Sequence, residues 1–322
     1  MRNFLRSAVY ATAMLLTVTL SSLHTSAQSI TSGDGRLEVG LGFGPMFFLG
    51  DLGGQAGIGK PFVKDVDFPL TKLGKSLYAS FYPSEWIGFR LSLNHGVIAG
   101  NDAEAPNKGG AEVDRLQRNL SFKSTVLEAY LAAEIYPTVF FEQYEGLAHK
   151  FRPYGVIGVG AFKFNPKAKD VDGQWVALKP LRLEGQGMAE YPTVKDYKLI
   201  QKEIAMGFGF KYYLKDNMYV GMEVLHRQTF TDYLDDVSTG YIDNALFANY
   251  LSAADAARAN RLYYRGTYGG NTPANSTQVQ QFQRGDPTEN DAFFSTVLRI
   301  GWRLNSQSDK MTRRQLRCPV FY

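Results

Sequence analysis

The sequence predicts an all-β protein: an eight-stranded antiparallel transmembrane β-barrel of the outer-membrane type, with long extracellular loops and a periplasmic C-terminal tail. Three observations predict it. Segments of ten or so residues alternate apolar side chains with glycine or charged ones, the period of a strand whose two faces meet different surroundings. The connections between these segments are tight and long by turns. Beyond the N-terminal segment there is no continuous apolar run long enough for a membrane helix, so a spanning structure must be a closed barrel.

Taken in order, the chain opens with Arg2 and Arg6, an apolar stretch from Ala8 to Leu20 and the small residues Thr25-Ser26-Ala27. That is the pattern of a secretory signal peptide over residues 1–27, too short for a membrane anchor. The first strand follows, with Leu37, Val39, Leu41, Phe43, Phe47 and Leu49 alternating with Glu38, Gly40, Gly42, Gly44 and Phe48. Gly50-Asp51-Leu52-Gly53-Gly54 ends it, and Gln55 to Leu73 reads as a loop. Lys75 to Tyr82 is the second strand, Pro83-Ser84-Glu85 a turn, and Trp86 to Ile98 the third, with Ile87, Phe89, Leu91 and Leu93 opposite Arg90, Ser92 and Asn94.

Gly100 to Leu116 is polar loop. The fourth strand, Thr125 to Ile135, carries Leu127, Ala129 and Leu131 on one side and Glu128, Tyr130, Ala132 and Glu134 on the other. Its alanines and leucines favour helix, but its two glutamates share a side only at a period of two, and Tyr136-Pro137 closes it. Phe151 to Asn165 is the fifth strand and Pro166 to Tyr197 a long loop. A hairpin then turns at Lys215-Asp216-Asn217, with Ile204, Met206, Phe208 and Phe210 opposite Glu203, Gly207, Gly209 and Lys211 in its first arm, and Val220, Met222 and Val224 opposite Gly221 and Glu223 in its second. The connection Thr231 to Asn290 is very long, with a surface helix expected around Asp243 to Arg261. Phe294, Thr296, Leu298, Ile300, Trp302 and Leu304, alternating with Ser295, Arg299, Gly301 and Arg303, make the eighth strand.

The barrel is thus expected to occupy residues 28–305 and a basic tail residues 306–322. Connections after strands one, three, five and seven are long, those after two and six tight, and that after four, Thr138 to Lys150, intermediate; a soluble sandwich predicts no such alternation. Short turns face the periplasm in barrels of this kind, which places both termini there. Aromatic content of 14% beside 32 glycines suits strands with small inward residues. The mean hydropathy of −0.23 is what averaging over two unlike faces produces. A net charge of +4 is too small and too spread for nucleic acid.

If the apolar faces meet lipid, five acids (Glu38, Glu128, Glu134, Glu203 and Glu223) face five bases (Arg90, Lys211, Arg227, Arg299 and Arg303) inside a narrow lumen. Such charges must pair or stay hydrated, and either a structural ionic core or a proton or ion path would do so. Asp232, Asp235, Asp236 and Ser238 crowd the exit of the seventh strand; their spacing matches no EF-hand, and capping or partner contact competes there with a calcium site. The mature histidines, His95, His149 and His226, stand at no nucleophile spacing, so no enzymatic activity and no cofactor are expected. The single cysteine, Cys318, lies in the tail among Arg313, Arg314 and Arg317. An odd cysteine in an exported chain points to an intermolecular disulfide or a free thiol, and the tail is either a partner-binding element or a frayed end.

Gly50-Asp51-Leu52, Glu184-Gly185-Gln186-Gly187, the run Phe230 to Thr239 and Arg317-Cys318-Pro319 together resemble the PorG family, outer-membrane β-barrel components of the type IX secretion system of Bacteroidota. The resemblance spreads over most of the mature chain, with Phe230 to Thr239 its most specific part. It implies a structural subunit without enzymatic activity that docks a periplasmic ring, made of the lipoprotein PorK and its partner PorN, to the outer membrane.

Overall fold

The computed structural model describes residues 36–52, 71–104, 112–140, 150–215, 217–266 and 276–304. The segment 1–27, expected to be a signal peptide, and the tail 306–322, with Arg313, Arg314, Arg317 and Cys318, lie outside the described residues, as do His149 and most of the connection after the fourth strand.

Eight strands form the barrel: β1 (Arg36–Leu49), β2 (Lys72–Tyr82), β3 (Ile87–Asn101), β4 (Ser121–Ile135), β5 (Phe151–Lys163), β8 (Ile200–Lys215), β9 (Met218–Thr229) and β10 (Ala292–Arg303). Each pairs antiparallel with its neighbour in the chain's order, and β1 pairs with β10 along ten residue pairs from Glu38–Arg303 to Leu49–Ala292, so the sheet closes on itself. Closure removes every barrel edge, the condition for a sheet to cross a membrane. A two-strand extension, β6 (Pro166–Lys169) and β7 (Trp175–Ala177), is added to the upper end of β4.

Period two decides the faces. Outward go Leu41, Leu77, Phe89, Leu91, Leu93, Leu127, Leu131, Ile157, Val159, Phe208 and Leu298, all exposed, a continuous apolar wall far larger than the exposed patches of water-soluble monomers. Inward go Glu38, Arg90, Glu134, Lys211 and Arg299, all buried. Polar inside and apolar outside is the inversion that identifies a membrane-spanning barrel. Among the described residues no helix is long and apolar enough to cross a membrane.

The strands differ from the sequence reading mainly at the long-loop end. β2 begins at Lys72 rather than Lys75, β3 runs on to Asn101 and β4 begins at Ser121, because β3 and β4 stay paired up to Asn101–Ser121. β5 stops at Lys163, two residues early: Pro166 has no N–H for a ladder, and the chain shifts to pair with β4 through Lys123–Lys167. The loop after β3 holds a 3-10 turn, Asp102–Glu104, and a short helix, α1 (Glu112–Arg118). The helix expected over 243–261 is broken into a 3-10 turn at Asn244–Leu246, one turn of helix at Phe247–Tyr250 (α2) and α3 (Ala253–Tyr263). Ser252 makes the break by capping α3, its side chain accepting from Asp255 N at 3.2 Å. Phe47 and Phe294 point outward as expected but are 8% and 7% exposed, since their rings stack on each other across β1 and β10 at 4.6 Å.

The connections at the two ends behave differently. At one end β2 is followed closely by β3, and β8 by β9. At the other, the described parts of the long connections fold over the barrel mouth into a dome with its own apolar core. Leu178, Leu181, Leu183, Leu234, Val237, Ile242, Phe247, Leu262 and Tyr263 pack in one cluster with Phe48, Phe122, Phe162 and Phe293 of the strands, so the dome's core runs down into the lumen.

Candidate functional site

The lumen is narrow because its glycines and tyrosines face each other. A Cβ on Gly40 would lie 2.2 Å from Tyr78 Oη, and one on Gly301 2.3 Å from a Tyr219 ring carbon; only glycine leaves room for these rings, whose hydroxyls meet at 2.9 Å. Around them the strands bring together most of the charged residues that alternation assigns to the interior.

Toward the short-turn end, Lys211 Nζ lies 3.0 Å from Glu38 and 3.1 Å from Glu134. Arg36 also reaches Glu38, at 3.4 Å. Tyr213 donates to Glu38 at 2.9 Å and Tyr136 to Glu134 at 2.6 Å, and the Tyr82 hydroxyl bonds both Glu134 and Lys211. At mid-height, Arg90 clasps Glu223 with both terminal nitrogens, at 2.7 and 3.1 Å, and reaches Glu134 at 2.9 Å. Arg299 lies 2.9 Å from Glu223 with its guanidinium 3.8 Å from the centre of the Tyr78 ring. Toward the dome, Arg227 holds both oxygens of Glu128, at 2.9 and 3.2 Å, and Asn94 donates to the same carboxylate at 2.8 Å.

Two of the ten charges stand apart from the expected five-against-five balance. Glu203 has no cation partner among the described residues and lies against Glu128, in the space that Gly160 leaves on the facing strand. Arg303 is half-buried at the short-turn end, over the ring of Tyr213. Both sit near strand ends, where the closed ring of charges gives out. Arg36, which alternation did not single out, joins instead. The space left between these side chains, beside Arg90, Tyr130 and Arg299, has room for roughly one water.

The dome is built on three of the motif segments, Gly50-Asp51-Leu52, Glu184 to Gly187 and Phe230 to Thr239, which are far apart in the chain. Glu184 accepts from Ser238 N at 3.0 Å, Thr239 N at 2.9 Å, Thr239 Oγ1 at 2.8 Å and Arg284 Nε at 2.9 Å. Asp235 accepts from Leu52 N at 3.2 Å and Val237 N at 2.9 Å, and Asp291 from Leu234 N at 2.8 Å. Asp51 accepts from Asp286 N at 2.9 Å. Arg118 pairs with Asp102 at 2.8 Å and donates to the backbone carbonyls of Asp51 and Arg284. Asp236, in the left-handed region at φ +67°, is held by the Tyr197 hydroxyl at 2.6 Å. Sequence reasoning missed Glu184, Arg284, Arg118 and Asp291 as partners of this loop; nothing in their spacing announces them.

Of the aspartates expected to cap or to hold calcium, Asp235 caps backbone, whereas Asp236 accepts from the Tyr197 hydroxyl and Asp232 bonds the Ser238 side chain. Asp235 and Asp236 are fully buried and Asp232 half-buried, and no group of three or more acids, histidines or cysteines among the described residues is arranged to hold a metal ion. His95 and His226 both lie on the outer faces of their strands, apart from this cluster.

Burial is the main cause of unusual acidity here. It pushes Asp232 up to about 8, aided by Asp51 and Glu184, and Asp236 up to about 7 against the pull of Tyr197 and Arg284. Asp51 rises to about 6, and Asp235 and Asp291 are raised by burial and by the carboxylates beside them. A carboxyl whose folded pKa exceeds its unfolded value near 4 holds its proton longer in the folded state. Its stabilising contribution is complete below about pH 4 and is lost as the pH rises through the folded value. The dome is therefore expected to be tighter at about pH 5 than at about pH 9. Amide exchange of residues 231–239 at the two pH values checks this, with Asp236→Asn expected to flatten part of the difference.

Neither a protein-family model nor a curated protein matches the chain. Among solved structures it is similar to Ail, the attachment invasion locus protein of Yersinia pestis, at 8% identity and a TM-score of 0.35 over 84% of this chain and 99% of that one. It is also similar to the outer membrane protein OprG of Pseudomonas aeruginosa, at 13% and 0.33 over 85% and 98%. Outer Membrane Protein W of E. coli aligns at 14% and 0.29 over 84% and 97%. At these scores the assignment of fold rests on the chain's own strand pairing.

Proposed function

We propose that this protein is a non-conducting outer-membrane anchor and assembly subunit of the type IX protein secretion system, docking a periplasmic ring of the PorK and PorN kind through its short-turn side and basic tail. The observation that supports an anchor is the filled lumen. Glu38, Glu134 and Glu223 interlock with Lys211, Arg90 and Arg299 across the bore, and the dome's apolar core closes the wide mouth above them. A channel needs a continuous wet path, and an eight-stranded interior is filled by its own side chains. The secretion role comes from the motif resemblance, and it gains from the fact that three of the four motif segments meet in one hydrogen-bonded unit.

The purified full chain is expected to give no steady current in planar bilayers. In cells, deleting Asp309 to Tyr322 should release the periplasmic partner from the outer membrane and stop secretion of its substrates, while Cys318→Ser should remove a reducible higher-mass band and leave the barrel folded. Steady open-channel currents would instead make the protein a narrow pore or small transporter. Normal partner retention and secretion by the truncated chain would make the tail a frayed end and move the dock to the connection 138–150.

A further inference from the structure

The outer wall of the barrel is not the same all the way round. Counting outward residues up from the short-turn end, β4 presents Ile135, Ala133, Leu131, Ala129, Leu127 and Thr125, and the seventh is Lys123. On β5 the series runs from Phe151 to Ala161 and the seventh is Lys163; on β8 it runs from Leu214 to Ile204 and the seventh is Lys202. These three strands are neighbours in the order β8-β5-β4. At the same count the opposite sector carries Leu49, Ala99, Phe230 and Ala292.

Twelve residues of a strand tilted by about 40° rise roughly 30 Å, the thickness of the hydrocarbon layer. The three lysines therefore stand at the headgroup level of the leaflet on the long-loop side. The extension β6 raises the same outer face by two more, Lys167 and Lys169, both exposed, while Pro166, Ala168 and Asp170 turn inward beneath the dome. Lys167 is the direct cross-strand partner of Lys123, a like-charge juxtaposition that costs stability unless an anion lies between or beside the two. Among the described residues none of the five lysines has a carboxylate partner. Trp175 of β7 lies under Lys123, its ring centre 5.3 Å from the ammonium, the amphipathic aromatic that marks a membrane interface.

We propose that this sector, over β4, β5, β6 and β8, binds the phosphate of an anionic lipid headgroup in the leaflet on the long-loop side. Its lysines point away from the lumen and stand directly above a lipid-covered wall, so the anion that reaches them most readily is carried by a lipid. Among the described residues the opposite sector has no comparable charge at that height; its outward lysine, Lys75 on β2, is the fourth residue of its series, and Lys72 lies at that strand's end. The protein would then sit with one side preferentially against phosphate-rich lipid, which fixes its rotational setting among neighbours.

The test is lipid retention by the full chain in zwitterionic detergent, given equal phosphatidylglycerol and phosphatidylcholine and read by native mass spectrometry. Wild type should prefer phosphatidylglycerol by about a hundred-fold, from roughly five-fold for each of three engaged lysines. K163Q/K167Q/K202Q should reduce this to about two-fold, and Lys163→Gln alone should lower it by about five-fold, each variant keeping the heat-dependent gel shift of a folded barrel. K72Q/K75Q should leave the preference intact, and glycerol 3-phosphate should not displace the lipid. No preference in the wild type, full preference in the triple variant, or an equal loss in K72Q/K75Q would each overturn the proposal. Displacement by glycerol 3-phosphate would overturn it in favour of a site for free phosphate.

Discussion

Replacing Arg90 with alanine is expected to lower the unfolding free energy of the barrel by about 3 kcal/mol or somewhat more. Arg90 is 1% exposed and touches both Glu223 oxygens while also holding Glu134 and the Tyr130 hydroxyl. Without it Glu223 keeps Arg299 and the Tyr154 hydroxyl, and Glu134 keeps Lys211, so the acids are not orphaned, but Lys211 and Arg299 are then the fully buried bases left to three acids, with Arg36 reaching Glu38 from the strand end. The desolvation already spent on those carboxylates is no longer offset. Room for roughly one water beside Arg90 sets the cost at the lower end of what breaking a buried pair usually takes. Urea titration of the folded, heat-modifiable form in vesicles measures it. Arg90→Met combined with Glu223→Gln, which removes one charge of each sign and keeps volume, should recover most of the loss. A loss under about 1 kcal/mol for Arg90→Ala would mean that water screens the network and that the lumen is wetter than its packing implies.

Arg284→Ala should have an effect of similar size, confined to the dome. The guanidinium is 1% exposed, pairs with Glu184 at 2.9 Å and donates to the carbonyl of Tyr263 at 2.8 Å. Its removal leaves a fully buried Glu184 carboxylate with only neutral donors from Ser238 and Thr239. The local stability of the dome should fall by about 3–5 kcal/mol, while the strands, which do not depend on this pair, keep their own. Limited chymotrypsin digestion should then cut the connections 164–199 and 230–291 in the variant and spare them in the wild type, with the heat-dependent gel shift unchanged in both. Loss of the gel shift together with the dome would show that the two fold as one cooperative unit. Unchanged resistance would show that the apolar core alone holds the dome.

The alternation of Phe208 and Phe210 with Gly209 and Lys211, or of Leu298 and Ile300 with Arg299, was enough by itself to determine strand and the division into two unlike faces. Successive side chains of a strand must point to opposite faces, so the pattern is local and can be read without knowing any partner. Counting such segments set the strand number at about eight, the lack of a run long enough for a membrane helix required closure, and the alternation of tight and long connections agreed with both. Which acid meets which base was not legible. Lys211 and Glu38 are 173 residues apart, and their meeting depends on how far the strands slip past one another as the sheet closes, a property of the whole ring. The dome was even less legible. Asp235 looks like a surface loop acid until Leu52 and Val237 bring their N–H groups to it, and Glu184 looks solvent-bound until Arg284 arrives from 100 residues away. Loops have no period to announce an inner face, so only their packing against the barrel mouth decided that Asp235 and Glu184 are buried.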